Sequence, residues 1–187
     1  MQLASSGASI MYHRDKFIKK ISEIGSKIHS GITNGSENMI IRYAPNLKLD
    51  EKLKNQEEIF YQALKKSFEN DIRQRTTTKG PHKDDLEFFI DEINVRNFGS
   101  QGQQRTAALS LKLAEITIIK EESGEMPILL LDDVMSELDF ERQEFLVKTL
   151  SDVQLFITTT EIPEILTEKL PKGNTYYVEK GKVRLIE

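Results

Sequence analysis

Residues 128–133 read Ile-Leu-Leu-Leu-Asp-Asp: the longest unbroken apolar run in the chain, four side chains, ended by two acids. A run this short, entered through Pro127 and closed by carboxylates, predicts a buried strand from Pro127 to Asp132. Both carboxylates then sit at the carboxyl end of the strand, the edge at which open α/β sheets bind ligands. Two adjacent carboxylates there are costly unless a cation or a proton compensates them. A hydrated Mg²⁺, held by one carboxylate and by nucleotide phosphates, is the usual solution. On an alternating strand the two side chains point opposite ways, so one can hold metal while the other reaches a water. A strand that merely ends in an Asp-rich turn carries the same pattern.

The surrounding sequence narrows the chemistry. With no Cys among 187 residues, disulfides, thiolate zinc sites and a cysteine nucleophile are excluded. His13, His29 and His82 share no ligand spacing, and the first two are expected on the surface of a helix. No Gly-x-Ser-x-Gly elbow supports a hydrolase triad. Neither a membrane-length apolar stretch nor a secretory leader is visible, so a cytoplasmic location is expected and Asn34-Gly35-Ser36 reads as a turn. Charge is uneven: residues 1–83 carry a net +6 and residues 84–187 a net −10, within an overall −4. A basic half is the electrostatic footprint of a nucleic-acid or other acidic partner, and a solvated Lys-rich helix face fits the same count.

Along the chain, Phe17, Ile21, Ile24, Ile28 and Ile32 recur at helical spacing and predict a first helix, ended by Thr33–Ser36. A strand follows at 39–43, and a second helix begins near Asn55, with Glu58 completing a capping box. Its expected apolar face is Phe60, Leu64, Phe68 and Ile72. A strand at 86–90 with a turn at Asp91-Glu92 precedes a long helix from about Gln103 to Glu121. After the 127–132 strand come a helix N-capped by Asp139, a strand at 154–158, a short helix from Pro163 and a hairpin turning at Lys180-Gly181. Alternating strands and helices predict an α/β fold with a mostly parallel sheet. The first 75 residues, a helix–strand–helix module, are too few to bury much alone and must pack on the rest.

A second motif, Ser100-Gln101-Gly102-Gln103-Gln104-Arg105, stands directly before the long helix. Small residues let backbone N–H groups approach an anion, and the helix terminus adds partial positive charge. Alone this is an ordinary capped helix start. Followed some thirty residues later by Leu-Leu-Leu-Asp-Asp-Val-Met-Ser-Glu-Leu-Asp, it resembles the signature motif, Walker B strand and D-loop (Ser136–Asp139) of ABC/SMC-type ATPase heads. Within that class, Gly80-Pro81-His82-Lys83-Asp84-Asp85-Leu86, the form Phe98-Gly99-Ser100-Gln101-Gly102-Gln103-Gln104-Arg105 and the Asp-Asp pair resemble the RecF family of bacterial recombination mediators.

The resemblance implies an arm module over 1–78, largely helical, and the carboxyl-terminal part of an ATPase lobe over 79–187. In such heads two protomers sandwich ATP, each giving its signature motif to the nucleotide held by the other. By that match Ser100, Gly102 and Gln103 contact a partner's γ-phosphate, and Asp132 helps hold Mg²⁺. Asp133, where most relatives have Glu, orients or activates water with one methylene less reach, which suits slow hydrolysis. Asp139 communicates across the dimer, and Thr160 falls near the position of a switch His. The implied partners are DNA, especially duplex beside single-stranded gaps, the mediator RecR and a second copy of the protein. Arg14, Lys16, Lys19, Lys20, Lys65, Lys66, Arg73 and Arg75 are the candidate phosphate contacts. An arm that docks RecR without touching DNA, and the head of another SMC-like ATPase, are the alternatives. No G-x-x-x-x-G-K-[ST] loop occurs, so the sequence is expected to hold half an ATP site, as the carboxyl-terminal part of a longer protein. The roles of His82 and Lys83 stay open between a loop near nucleotide or DNA and a loop pinned by Pro81.

Overall fold

A computed structural model describes residues 1–150, 153–162 and 173–186. The chain forms two compact units, Met1–Ile118 and Ile119–Glu187.

The first unit is organised by α1 (Gln2–Ile32), which lends Ile18, Met11 and Ile21 to three apolar clusters among the described residues. Its buried stripe is Ala4, Gly7, Ala8, Met11, Ile18, Ile21, Gly25, His29 and Ile32. Phe17, expected on that stripe, is 46% exposed, because its neighbour Ile18 takes the inward position. Small residues at the start of α1 allow close approach by α2 (Leu53–Gln74): a Cβ at Gly7 would lie 1.8 Å from the Phe60 ring. Phe60 packs there with Met11 and Leu47. Farther along α2 the expected apolar face is not buried, and Phe68 and Ile72 are each 61% exposed. The helix starts at Leu53 with no side-chain cap, and Asn55 donates to the Asp50 carboxylate instead of forming the expected box.

β1 (Met39–Ala44), β2 (Asp85–Ile90) and β3 (Ile93–Asn94) form an antiparallel sheet with Met39 opposite Ile90 and Tyr43 opposite Leu86. β2 turns into β3 through Asp91 and Glu92, both at positive φ (47° and 68°), the backbone of a two-residue primed turn. The 78/79 boundary expected from sequence therefore falls inside this unit, since strands from both sides of it pair. The short helix α3 (Val95–Phe98) leads to α4 (Gln101–Ser123). α4 buries Ala107 against the sheet cluster and Ala114 and Ile118 against Ile21 of α1.

In the second unit β4 (Leu129–Asp132) and β5 (Leu155–Thr158) pair in parallel, with Asp132 opposite Thr158. This pair is the parallel part of the expected α/β arrangement; the other two described sheets are antiparallel. β4, expected to be buried, is only half-buried on one face, at Leu129 and Leu131, and exposed on the other, where Leu130, 72% exposed, lies beside the exposed Phe156 of β5. With one described strand neighbour, the outer face of β4 has no cover among the described residues. α5 (Phe140–Thr149) supplies Leu146 and Val147 to the buried set with Met135, Leu138 and Leu150. β6 (Tyr176–Glu179) and β7 (Lys182–Leu185) form the expected hairpin, with Lys180 and Gly181 at φ 48° and 74°. The helix expected from Pro163 lies outside the described residues.

Candidate functional site

β4 delivers Asp132 and Asp133 to an exposed edge. Asp132 is the last strand residue, and its Oδ1 accepts a short hydrogen bond from the Thr158 hydroxyl. Asp133 is not the next residue of an alternating strand, as expected, but has turned into the left-handed region at φ 52°. Its N–H is held by the carbonyl and the hydroxyl oxygen of Thr158, each at 3.1 Å. Thr158 thus ties both acids to β5, a residue the sequence reading passed over. Its available signal was its place at the end of the neighbouring parallel strand.

Beyond Asp133 the chain makes a 3-10 turn, Val134–Glu137, and enters α5 at Asp139. Asp139 caps that helix as expected, accepting from the Arg142 N–H at 3.0 Å and pairing with the Arg142 guanidinium. Gln143, also missed, donates to the Met135 and Leu138 carbonyls at 2.8 and 3.1 Å and fixes the turn between the two acidic positions. Thr160 is exposed, and its neighbour Thr159 donates to the Glu161 carbonyl at 2.5 Å.

The other motif lies in the first unit. Ser100 and Gln103 form a reciprocal capping box: Ser100 Oγ accepts from the Gln103 N–H at 3.2 Å, and Gln103 Oε1 accepts from the Ser100 N–H at 3.0 Å. Ser100 and Gly102 are exposed at the start of the 23-residue α4. Gln104 donates to the Val95 and Gly99 carbonyls, tying the turn to the end of α3. Gln103 Nε2 donates to Glu37 Oε1 at 3.0 Å, and Glu37 Oε2 accepts from His29 Nε2 at 3.0 Å. His29, expected on the surface, is fully buried. It lies four residues after Gly25 and three before Ile32, on the inward stripe, and its ring nitrogens meet Glu37 and Ser110.

The basic candidates divide by what they touch. Arg14 donates to the Pro81 carbonyl at 2.7 Å and pairs with Asp84 at 3.0 Å. Asp84, with its side chain 1% exposed, also accepts from the Tyr43 hydroxyl and from the Asn46 N–H. Burial and this bond to Asp84 push the Tyr43 hydroxyl well above its usual pKa. Arg14 therefore pins the Gly80–Asp84 loop. Lys16 sits 4.2 Å over the Tyr12 ring, Lys19 pairs with Asp15 at 2.7 Å, and Lys20 is half-buried. Lys65, Lys66, Arg73 and Arg75 are exposed along and just past α2. In the same loop, exposed His82 donates from Nε2 to the Thr77 carbonyl at 2.6 Å, and Lys83 is exposed.

No protein-family model matches the chain. It is 47% identical over 184 residues to the DNA replication and repair protein RecF of Alkaliphilus oremlandii, covering 97% of this chain and 50% of that protein. The RecF protein of Lactococcus lactis subsp. lactis is 49% identical over 184 residues, covering 97% and 48%. The chain is similar to RecF proteins over nearly the whole of its own length. It spans about half the length of the curated RecF proteins it matches. A solved structure of the recombination mediator RecF with ATP matches all of this chain and 48% of its own, at TM-score 0.83 and 34% identity. An SMC ATPase structure, described for ATP-driven dimerisation and DNA-stimulated activation, matches at TM-score 0.52 over 91% of this chain, but at 14% identity it speaks for the fold alone. This similarity agrees with the two motifs that carried the resemblance in sequence.

Proposed function

We propose that this RecF segment supplies the signature turn and the acidic strand end of an ATP-dependent, dimerising DNA-repair ATPase that helps load recombinase at gapped DNA. The observation that carries this is the exposed, capped Ser100–Gln103 turn opening a long helix, in a chain that also exposes Asp132 and Asp133 where a parallel strand ends. Helix-terminal N–H groups and the Ser100 hydroxyl suit a phosphate, so Ser100, Gly102 and Gln103 are assigned to the γ-phosphate of ATP held by the partner copy.

Among the described residues no group of three or more His, Cys, Asp or Glu could hold a metal ion. Asp132 nevertheless fits a Mg²⁺ that takes one protein carboxylate and completes its shell with phosphate and water. Bound there, Mg²⁺ would neutralise phosphate charge. Asp133 is assigned to orient or activate the attacking water, and the Thr158 bond to its N–H holds its backbone. Asp139, exposed beside the turn, is assigned to contact across the dimer, and Thr160 to the neighbourhood of the γ-phosphate.

The exposed cations Lys65, Lys66, Arg73 and Arg75 are the strongest DNA-phosphate candidates, with Lys16, Lys19 and Lys20 secondary and Arg14 already committed to Asp84. RecR is the proposed protein partner and the cytoplasm the proposed location. An arm that only docks RecR is separated by pull-down with the same Lys and Arg variants. The test of the nucleotide assignment is Asp132→Asn and Ser100→Arg in a full-length RecF protein carrying this segment. Both are expected to lose ATP turnover, and wild-type hydrolysis by either refutes it.

A further inference from the structure

The Gln103 side chain is held at both ends. Its Oε1 accepts from the Ser100 N–H, inside the capping box, while its Nε2 donates 3.0 Å to Glu37, 66 residues earlier in the chain. A capping box needs only the first of these bonds. The second fixes the amide's rotation and joins the signature turn to the segment between α1 and β1.

Glu37 is itself held. Its second oxygen meets His29 Nε2 at 3.0 Å, and His29 is fully buried on α1. His29 Nδ1 lies 3.1 Å from Ser110 Oγ, and the Ser110 hydroxyl donates to the Thr106 carbonyl at 2.8 Å. Nε2 donates to Glu37, because a carboxylate has no proton to give, and Ser110 holds the other ring nitrogen. The chain of bonds closes on α4 itself, where Thr106 Oγ1 donates to the Gly102 carbonyl at 2.8 Å. A buried polar network with every member satisfied is rigid. This one starts and ends on the signature turn.

We infer that Glu37, backed by His29, is a positioning residue that orients the signature Gln103 for the partner's nucleotide. The inference rests on the proposed nucleotide role of the signature turn. Glu37 touches no phosphate in this scheme and acts only through Gln103.

Glu37→Ala and Glu37→Gln in a full-length RecF protein carrying this segment test it by steady-state ATP hydrolysis, with Ser100→Arg beside them. Alanine removes both acceptor oxygens, whereas glutamine keeps one that can still accept from Gln103 Nε2. Loss of one charge-assisted hydrogen bond felt in the transition state lowers kcat about tenfold in Glu37→Ala. KM stays near wild type, since each copy's own nucleotide pocket is untouched, and Glu37→Gln recovers most of kcat. Wild-type or raised kcat in Glu37→Ala, a KM that rises in step, or an equal loss in Glu37→Gln overturns the inference. An inactive Ser100→Arg beside a fully active Glu37→Ala defeats it alone. A Ser100→Arg that hydrolyses normally defeats the nucleotide reading, and the inference with it.

Discussion

Asp84 shows how one carboxylate can decide a loop. Buried to 1% exposure, it takes hydrogen bonds from Arg14, Tyr43 and the Asn46 backbone, holding β1, α1 and the Gly80–Asp84 loop together. Asp84→Ala strands three donors and should cost roughly 3 kcal/mol in urea unfolding, the scale of breaking a buried ion pair. A loss under about 0.5 kcal/mol, ordinary for a surface change, would show that the cluster is ornamental. Tyr43 adds a pH test. Its pKa is raised in the folded state, so from about pH 10 upward the folded protein holds a proton that the unfolded chain has released. The stabilisation is complete below that pH and fades as pH rises further. Wild type should lose stability above about pH 10 more steeply than Tyr43→Phe, and parallel alkaline curves would contradict the assignment. At this scale sequence spoke unevenly. Asp139 was legible as a cap because Asp before a helix does one common thing. Asp84 was visible as a motif but not as an anchor, since Arg14 lies 70 residues away and no local pattern joins them.

Among elements, α1 was found by its period, but its face was set about one residue off. The isoleucines at 24 and 28 made a persuasive stripe, yet the inward line runs through Gly7, Ile18, Ile21, Gly25 and His29. Small and polar residues on that line hid it. Gly7 states the difference as a sign: helix propensity alone makes Gly→Ala favourable by about 1 kcal/mol. The Phe60 ring stands 1.8 Å from the Cβ that alanine would add, so Gly7→Ala should instead destabilise by roughly 1–3 kcal/mol. A higher melting temperature in Gly7→Ala would contradict the α1–α2 packing. On α2, Phe60→Ala should cost about 3–5 kcal/mol, whereas Phe68→Ser should stay within about 0.5 kcal/mol. Equal costs would mean the exposed end of α2 is covered. Both two-residue turns, at Asp91-Glu92 and Lys180-Gly181, were legible because their residue types act locally. The open face of β4 was not, because an apolar run does not say how many strand neighbours it has.

For the whole molecule, the two motifs recognised in sequence fall in different compact units, Ser100–Gln103 in the first and Asp132–Asp139 in the second. That division suits heads in which the two motifs serve different nucleotides. The net +6 of residues 1–83 is partly consumed inside the first unit: Arg14 and Lys19 have carboxylate partners. Lys65, Lys66, Arg73 and Arg75 stay exposed along and just past α2, while Lys16, Arg42, Lys48 and Lys83 are exposed elsewhere in the same unit. If the α2 cations meet DNA, Lys65/Lys66/Arg73→Ala in a full-length RecF protein carrying this segment should flatten the log-affinity against log-salt slope by roughly one unit per lost contact. An unchanged slope removes α2 from the DNA interface.

The central claim, that the signature turn and the acidic strand end act on nucleotides in opposite copies, is tested most directly by mixing two inactive proteins. Full-length Ser100→Arg and Asp132→Asn are each expected to be inactive in ATP hydrolysis. In a mixed dimer, the sound Asp132 of one copy faces the sound Ser100 of the other, so one complete site re-forms and turnover returns on mixing. A mixture as inactive as its two components contradicts the account.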